Sequence, residues 1–515
     1  MKRRDFVKYG VGGLATLVVG SKMPWLMDNP AYAAVQTKNL YFTITDAVKD
    51  MVTHEPGNNI AQCYFWIYVA TDSAGLVPVF PPDCPGPQIY TTVGDTINIS
   101  IHNDLDENHA FFIPGIYNSG PIAPGTSVTG TFRPTRAGAH LYYDNLNTPV
   151  NRVMGLHGAF IVMPANLQGT RAQGASRLTP YDRPTPNVQK LFDDFGRAPW
   201  WPGLAWEQGA AGNPPTPPFR QYVWLNHQAS PVLFEEVGNY PAGLDYPAAA
   251  FMDGFIGTNA DLTTGNKPVI ATNNSALMTL TIPPVPIQLL FNKKPHYFTI
   301  CGQSGHFSHN HPAITPMNRV GEPCVVHVMN AGLWTHSMHM HCNHFFITYV
   351  NGRVQSNPIW VDTFTSKPLD IYDMVIPYMR PPDVPNVLGI GRADLSPPLT
   401  TINGHPTWPP IEEFQVYQPK IGTTKQSFLN PLITVDIAQR QSPLVYPMHD
   451  HSEPSQTAQG GNYNCGLISG INVIGDRNTP GFREFPRDPD WDLMLTLGNG
   501  AAVDKPGGGN NPPLT

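Results

Sequence analysis

The chain has 515 residues, among them 56 prolines and 46 glycines, with only 13% charged residues and a formal net charge of −7. Proline removes backbone donors and glycine weakens helices, so a fold built from long helices is excluded. No basic block stands out of this balance, which excludes nucleic acid as a partner.

Residues 1–33 read as a targeting segment. Lys2 to Lys8 (KRRDFVK) carry paired arginines, an apolar run (YGVGGLATLVVG) follows, and Ala31 to Ala33 (AYA) fit the small-x-small cleavage rule. This pattern predicts export by the twin-arginine route, to the periplasm or outside the cell. The run is too short and too glycine-rich to cross a bilayer, and no later segment is apolar enough, so no membrane span is expected. None of the six cysteines (Cys63, Cys84, Cys301, Cys324, Cys342, Cys465) forms a C-x-x-C pair, which argues against zinc and thioredoxin-like motifs. Export permits disulfides, and Cys63 with Cys84 is a candidate pair.

Strand patterns begin after the leader. PGPQIYTTVGDTINISIHNDL (Pro85 to Leu105) alternates apolar and polar residues behind a Pro-Gly turn. TSVTGTFRPTRAGAHLYYD and MGLHGAFIVMP repeat the strand–turn–strand logic. Residues 38–165 are therefore expected to form one β-sandwich. Residues 166–219, rich in proline, glycine and tryptophan, read as a long connector. A second strand-rich region, 220–476, opens with RQYVWLNH and continues through HYFTICG, PCVVHVMNAG, HFFITYVNG and GLISGINVI. A bare sandwich needs roughly 100 residues, so this region carries insertions or a third domain. Residues 477–515 end in DKPGGGNNPPLT and read as a partly disordered extension.

The chemistry concentrates in THSMHMHCNHFF (Thr335 to Phe346), with His336, His339, His341 and His344. In a strand, alternate residues share a face, so His339 and His341 project together and His336 serves another direction. Imidazole suits copper, zinc and iron, and burying several of them without a metal or partners is costly. A second H-x-H pair, His449 and His451, lies in YPMHDHSEPSQTAQGGNYNCG. Two such pairs on neighbouring strands can converge on one ion. Met338, Met340 and Met448 read as core residues. His306, His309 and His311 read as a solvated loop, an auxiliary copper site being the alternative. No G-x-S-x-G, P-loop or G-x-G-x-x-G motif occurs in strand–turn–helix context.

HSMHMH, with FTICG and VMNAG before it, resembles the H-x-x-H-x-H strand of the multicopper oxidases, including the two-domain forms close to copper nitrite reductases. PGPQIYTTVGDTINISIHNDL and MGLHGAFIV resemble that family's first domain. The resemblance implies an all-β fold of two cupredoxin-type Greek-key β-sandwich domains with long insertions, three domains being the alternative. It also implies departures. The family closes on H-C-H; here the motif is His449-Asp450-His451, and a carboxylate cannot supply the soft thiolate of a type 1 copper. The family's second type 1 histidine aligns with Ser455, so that centre is expected to be absent and His336 to lack a copper partner. The first-domain motifs H-W-H and H-S-H align with His109 and Phe111, and with Tyr143 and Asn145. Five ligands remain by this resemblance: His109, His339, His341, His449 and His451, enough for one or two copper ions. His109 would pair with His339, and His341 with His449 or His451, helped by Asn145. Asp450, between two ligands, would shuttle protons or tune the metal. The implied function is a copper-dependent oxidoreductase using a small-molecule substrate or an external electron donor. The alternative is a non-catalytic copper-binding or structural protein of the cell envelope. Because the family draws ligands from facing sandwiches, a homotrimer sharing the site between subunits is also expected.

Overall fold

Proline and glycine cut the chain into short extended runs, and those runs are the strands. The computed structural model describes residues 35–51, 61–165, 179–194, 219–257, 281–286, 293–378, 401–406 and 444–473, short gaps within these spans excepted. The expected leader, 1–33, and the extension, 477–515, lie outside the described residues, as does most of the connector.

The first sandwich contains β1 (Thr37–Met51), β2 (Ala61–Ala70), β3 (Ile89–Thr92), β4 (Thr96–Asn103), β5 (Phe112–Ile113), β6 (Tyr117–Asn118), β7 (Ser127–Phe132), β8 (Gly138–Tyr143) and β9 (His157–Met163). One sheet runs β2-β1-β4-β7 and the other β3-β9-β8-β5-β6. The alternation in β4 shows why: Ile97, Ile99 and Ile101 turn inward and are buried, while Asn98 and Ser100 turn outward. Each such isoleucine contributes roughly 1.5–3 kcal/mol by leaving water. Both sheets share one core, in which Trp66, Phe111, Tyr142 and Phe160 are buried.

The second region supplies β10 (Arg220–Ala229), a hairpin β11 (Thr281–Ile282) and β12 (Val285–Pro286), then β13 (Tyr297–Ile300), β14 (Met317–Asn318), β15 (Cys324–Asn330), β16 (His336–Met340), β17 (Phe345–Val350), β18 (Arg353–Val361), β19 (Thr363–Ser366), β20 (Ile371–Ile376), a hairpin β21 (Thr401–Ile402) and β22 (His405–Pro406), β23 (Leu444–Asp450) and β24 (Ile468–Val473). Its sheets run β13-β10-β15-β20-β17-β18 and β14-β24-β23-β16-β19. The two sandwiches share one topology. β1 pairs parallel with β4 as β10 does with β15, and β3 with β9 as β14 does with β24. In this correspondence β5 matches β16 and β8 matches β23. The protein is therefore all-β, built of cupredoxin-type sandwiches.

A helix, Pro231–Gly238, follows β10; the Ser230 hydroxyl caps it by accepting the Leu233 N–H, and proline opens it. It seals the first core, with Phe234 edge-on to Phe65 at 5.5 Å. The described part of the connector anchors on the second sandwich, where the Tyr181 hydroxyl donates to Asp373 at 2.7 Å. The expected Cys63–Cys84 pair is not joined: both are free thiols, as is Cys301. Among the described residues, no helix is long and apolar enough to cross a membrane.

Candidate metal centre

β16 and β23 pair antiparallel with His339 opposite His449, Met338 opposite Asp450 and Met340 opposite Met448. The period of two then sorts the side chains. His336, Met338, Met340, Met448 and Asp450 are buried inside, which accounts for the methionines as core. His339, His341, His449 and His451 fall on the opposite, partly exposed face. There the rings crowd: centroids are 5.1 Å apart for His339 and His341, 4.9 Å for His341 and His449, and 4.9 Å for His339 and His451. His341 Nε2 and His449 Nε2 stand 2.9 Å apart. Two nitrogens held by one ion at about 2.0–2.1 Å each stand roughly 3 Å apart, so this spacing fits a shared ion.

The outer rings are also oriented. His339 Nδ1 lies 2.8 Å from Thr363 Oγ1 and 3.1 Å from the Asp362 carbonyl. His449 Nδ1 lies 3.0 Å from the Asp450 carbonyl. A proton on Nδ1 satisfies these acceptors and leaves Nε2 as a lone pair, the arrangement that fixes a ligating imidazole. Burial, followed by repulsion from neighbouring imidazoles, lowers the pKa of His341. For His339, burial with repulsion from His341 and His449 outweighs the attraction of Asp362, with the same result. Both are thus held in the neutral, metal-ready form. The ligand atoms of His339, His341 and His449 all lie within 4.8 Å of one another, and His451 stands beside them on the same face.

The inner face carries a different network. Asp450 is fully buried and accepts from His336 Nδ1 (2.6 Å), the Ser337 N–H (2.7 Å), the Ser452 N–H (3.0 Å) and the Ser455 hydroxyl. Burial pushes its pKa up, but these bonds outweigh it and hold the carboxyl below its ordinary value. The carboxylate faces away from the outer imidazoles, so Asp450 positions strands rather than meeting a substrate. The Leu333 N–H donates to Gln228 Oε1 at 2.8 Å, which turns Gln228 Nε2 toward His336 Nε2 at 2.6 Å. The amide N–H therefore meets a lone pair on His336, and one tautomer satisfies the whole chain of bonds.

The first sandwich repeats this inner pair. His109 Nδ1 lies 2.8 Å from Asp144 Oδ2, and Asn151 donates to the same oxygen at 3.0 Å. Burial alone would lower the His109 pKa, but Asp144 and Glu107 outweigh it and raise it. His109 is buried in this pair and is not brought to the outer histidines. Phe111 is core, stacked on Tyr142 at 4.9 Å, and Tyr143 faces the Arg152 guanidinium at 5.8 Å. His311 is buried rather than solvated, while His306 and His309 lie outside the described residues.

Sequence reasoning missed these two His–Asp pairs, a third buried one, His327 with Asp373 at 2.7 Å, and one further group. Cys84, His157 and His227 bring their ligand atoms within 4.8 Å of one another in the interior. No local spacing signals this group, because its members lie far apart along the chain.

Residues 71–167 match the multicopper oxidase family profile. A laccase of Ustilaginoidea virens is 31% identical over 93 residues, which are 16% of this chain and 14% of the laccase. The match thus spans about a seventh of that relative. Among solved structures, a multicopper oxidase, mgLAC, is 15% identical with a TM-score of 0.44, covering 89% of this chain and 93% of that one. A blue copper oxidase from Nitrosomonas europaea is 13% identical with a TM-score of 0.44, covering 90% and 94%.

Proposed function

We propose that this cupredoxin-superfamily chain, with a multicopper oxidase domain at residues 71–167, is an exported copper-dependent oxidoreductase with a reduced copper centre and no type 1 site. The observation that carries the reading is the outward face of β16 and β23, where His339, His341, His449 and His451 crowd together and the His341 and His449 Nε2 atoms stand 2.9 Å apart. These four residues would hold one or two copper ions. Bound copper would supply one-electron chemistry between a small-molecule substrate, or an external electron donor, and an acceptor. The protein's part is to orient the imidazoles through Thr363, Asp362 and the Asp450 carbonyl, and to keep His339 and His341 neutral. Both of the latter are partly open to solvent, so a substrate can approach the face directly.

A second reading, copper binding without turnover, draws support from the interior. Asp450 and Ser455 occupy the positions where the resemblance places type 1 ligands, and their hydrogen bonds consume His336. No internal relay to the outer histidines remains there. Export by the twin-arginine leader and a homotrimer stand as further parts of the proposal; in a trimer, His109 would have to leave its buried pair to reach a neighbour.

Copper content, electron-spin resonance and oxygen uptake with a phenolic or reduced-cytochrome donor test the readings together. Turnover that disappears in His341→Ala supports the oxidoreductase. Bound copper without turnover selects the second reading, and a copper-free His339–His451 face overturns both.

A further inference from the structure

A second ligand group lies in the interior, where the first sandwich meets β10. We propose that Cys84, His157 and His227 hold a single Cu(I) ion. The site is distinct from the His449-Asp450-His451 motif and does not depend on the function proposed above.

The geometry is that of a built site. Cys84, His157 and His227 are 3%, 0% and 2% exposed, and the two rings lie 4.4 Å apart between centroids. Each imidazole is oriented by a carbonyl at the end of the one-turn helix Val150–Val153. His157 Nδ1 donates to the Arg152 carbonyl at 2.8 Å, and His227 Nε2 donates to the Val153 carbonyl at 2.8 Å. These bonds fix opposite tautomers. Lone pairs are left on His157 Nε2 and His227 Nδ1. His157 Nε2 is enclosed and has no hydrogen-bond partner. Leaving a buried acceptor unmet costs about 1–3 kcal/mol, a cost that an ion removes. Backbone oriented on the far nitrogen of each ring is the usual support of metal-binding histidines.

The surroundings close the site. Phe65 and Phe234 flank His227 at 6.3 and 6.4 Å between centroids. Gly155, at φ +121°, lets the chain pass: a Cβ there would meet the Trp66 carbonyl at 2.5 Å and Cys84 Sγ at 3.1 Å. Only glycine fits that approach.

Charge selects the ion. On binding, the Cys84 S–H bond breaks, the sulfur–copper bond forms and one proton leaves to solvent. A thiolate, two neutral imidazoles and a monovalent ion sum to zero. A divalent ion would leave a net positive charge enclosed in protein near buried Arg152 and near Lys49, which donates to the Cys84 carbonyl at 3.1 Å. One soft sulfur and two imidazoles suit Cu(I).

The test titrates the full chain anaerobically with Cu(I) against a chromophoric Cu(I) chelator, in a His341→Ala background that disables the outer face. The expected result is one retained equivalent, weakened at least a hundredfold by adding Cys84→Ser or His157→Gln. Circular dichroism of the metal-free variants checks their fold. X-ray absorption on the His341→Ala chain, which needs no change at the proposed site, is expected to show one sulfur and two nitrogen neighbours. Copper without a sulfur neighbour overturns the proposal, as does zinc held against Cu(I) or a chain mass lower by two hydrogens that maps to a Cys63–Cys84 disulfide. A filled interior site beside an empty outer face, or the reverse, separates this proposal from the function above.

Discussion

Replacing Asp450 by asparagine tests the inner network at its centre. Asparagine keeps one carbonyl oxygen, enough for the Ser337 and Ser452 N–H groups that now meet Oδ1. Its NH2 group then faces His336 Nδ1–H and the Ser455 hydroxyl, two donors that now meet Oδ2. His336 cannot escape by moving its proton, because Nε2–H would confront the Gln228 NH2 group. Turning Gln228 over would set that NH2 group against the Leu333 N–H. The Ser455 hydroxyl can turn its proton to the Ser452 carbonyl at 3.0 Å and accept from the new amide, but the conflict at His336 has no local remedy. A hydrogen bond to a charged group contributes about 1.5–3 kcal/mol and a buried donor left unmet costs about 1–3 kcal/mol, so the His336 conflict costs roughly 2.5–6 kcal/mol. Ser455→Ala removes one such bond and is expected to cost about half as much. The assay is urea unfolding of metal-free protein, followed by fluorescence, with unchanged slope and lowered midpoint expected in that order of severity. A loss below about 1 kcal/mol in Asp450→Asn would show that the carboxylate does not organise this interior.

Three further outcomes are expected. His341→Ala removes one member of the 2.9 Å nitrogen pair and should lower copper affinity at the outer face at least tenfold without moving the unfolding midpoint of metal-free protein, as read by equilibrium dialysis. Asp450→Cys should add no blue absorption on copper loading, because Ser455 supplies no second imidazole; Asp450→Cys with Ser455→His is the variant in which a new band should arise. His140 tests acid stability. Burial lowers its pKa from 6.5 to about 4, so its contribution is present above pH 6.5 and is lost as pH falls toward 4, by about 3 kcal/mol in all. His140→Phe should flatten that part of the pH dependence of the unfolding midpoint, and an unchanged profile would exclude His140 as its source.

The strands were legible because half-buried strands write their burial into alternate residues, as in Ile97, Ile99 and Ile101. The same rule placed His339 and His341 together and turned His336 away. It also identified the H-x-H pair at His449 and His451, since the outer face needs only the period of two and one strand pairing. What the alternation left open was the partner of each inward polar group. His336 meets Asp450 across 114 positions and His109 meets Asp144 across 35, so no local spacing announces either bond. His109 illustrates the result: a histidine in a ligand-like motif became a buried base paired to a carboxylate. Cys84, His157 and His227 were unreadable for the same reason, since a cis-proline turn, a strand start and a strand in the next sandwich meet only through the fold.

Asp450 ties three segments at once: Ser337 and His336 on β16, its own strand, and the turn at Ser452 and Ser455. Sliding β16 against β23 by one residue would break both bonds to β16, those of His336 and Ser337. The four outer imidazoles consequently have a fixed bite, set before any ion arrives. A preset bite asks little rearrangement of the protein on binding and leaves the strain of a poor fit to the ion. Discrimination among metals bound at this face would then be a matter of ionic size and preferred geometry, enforced by a carboxylate on the far side of the sheet.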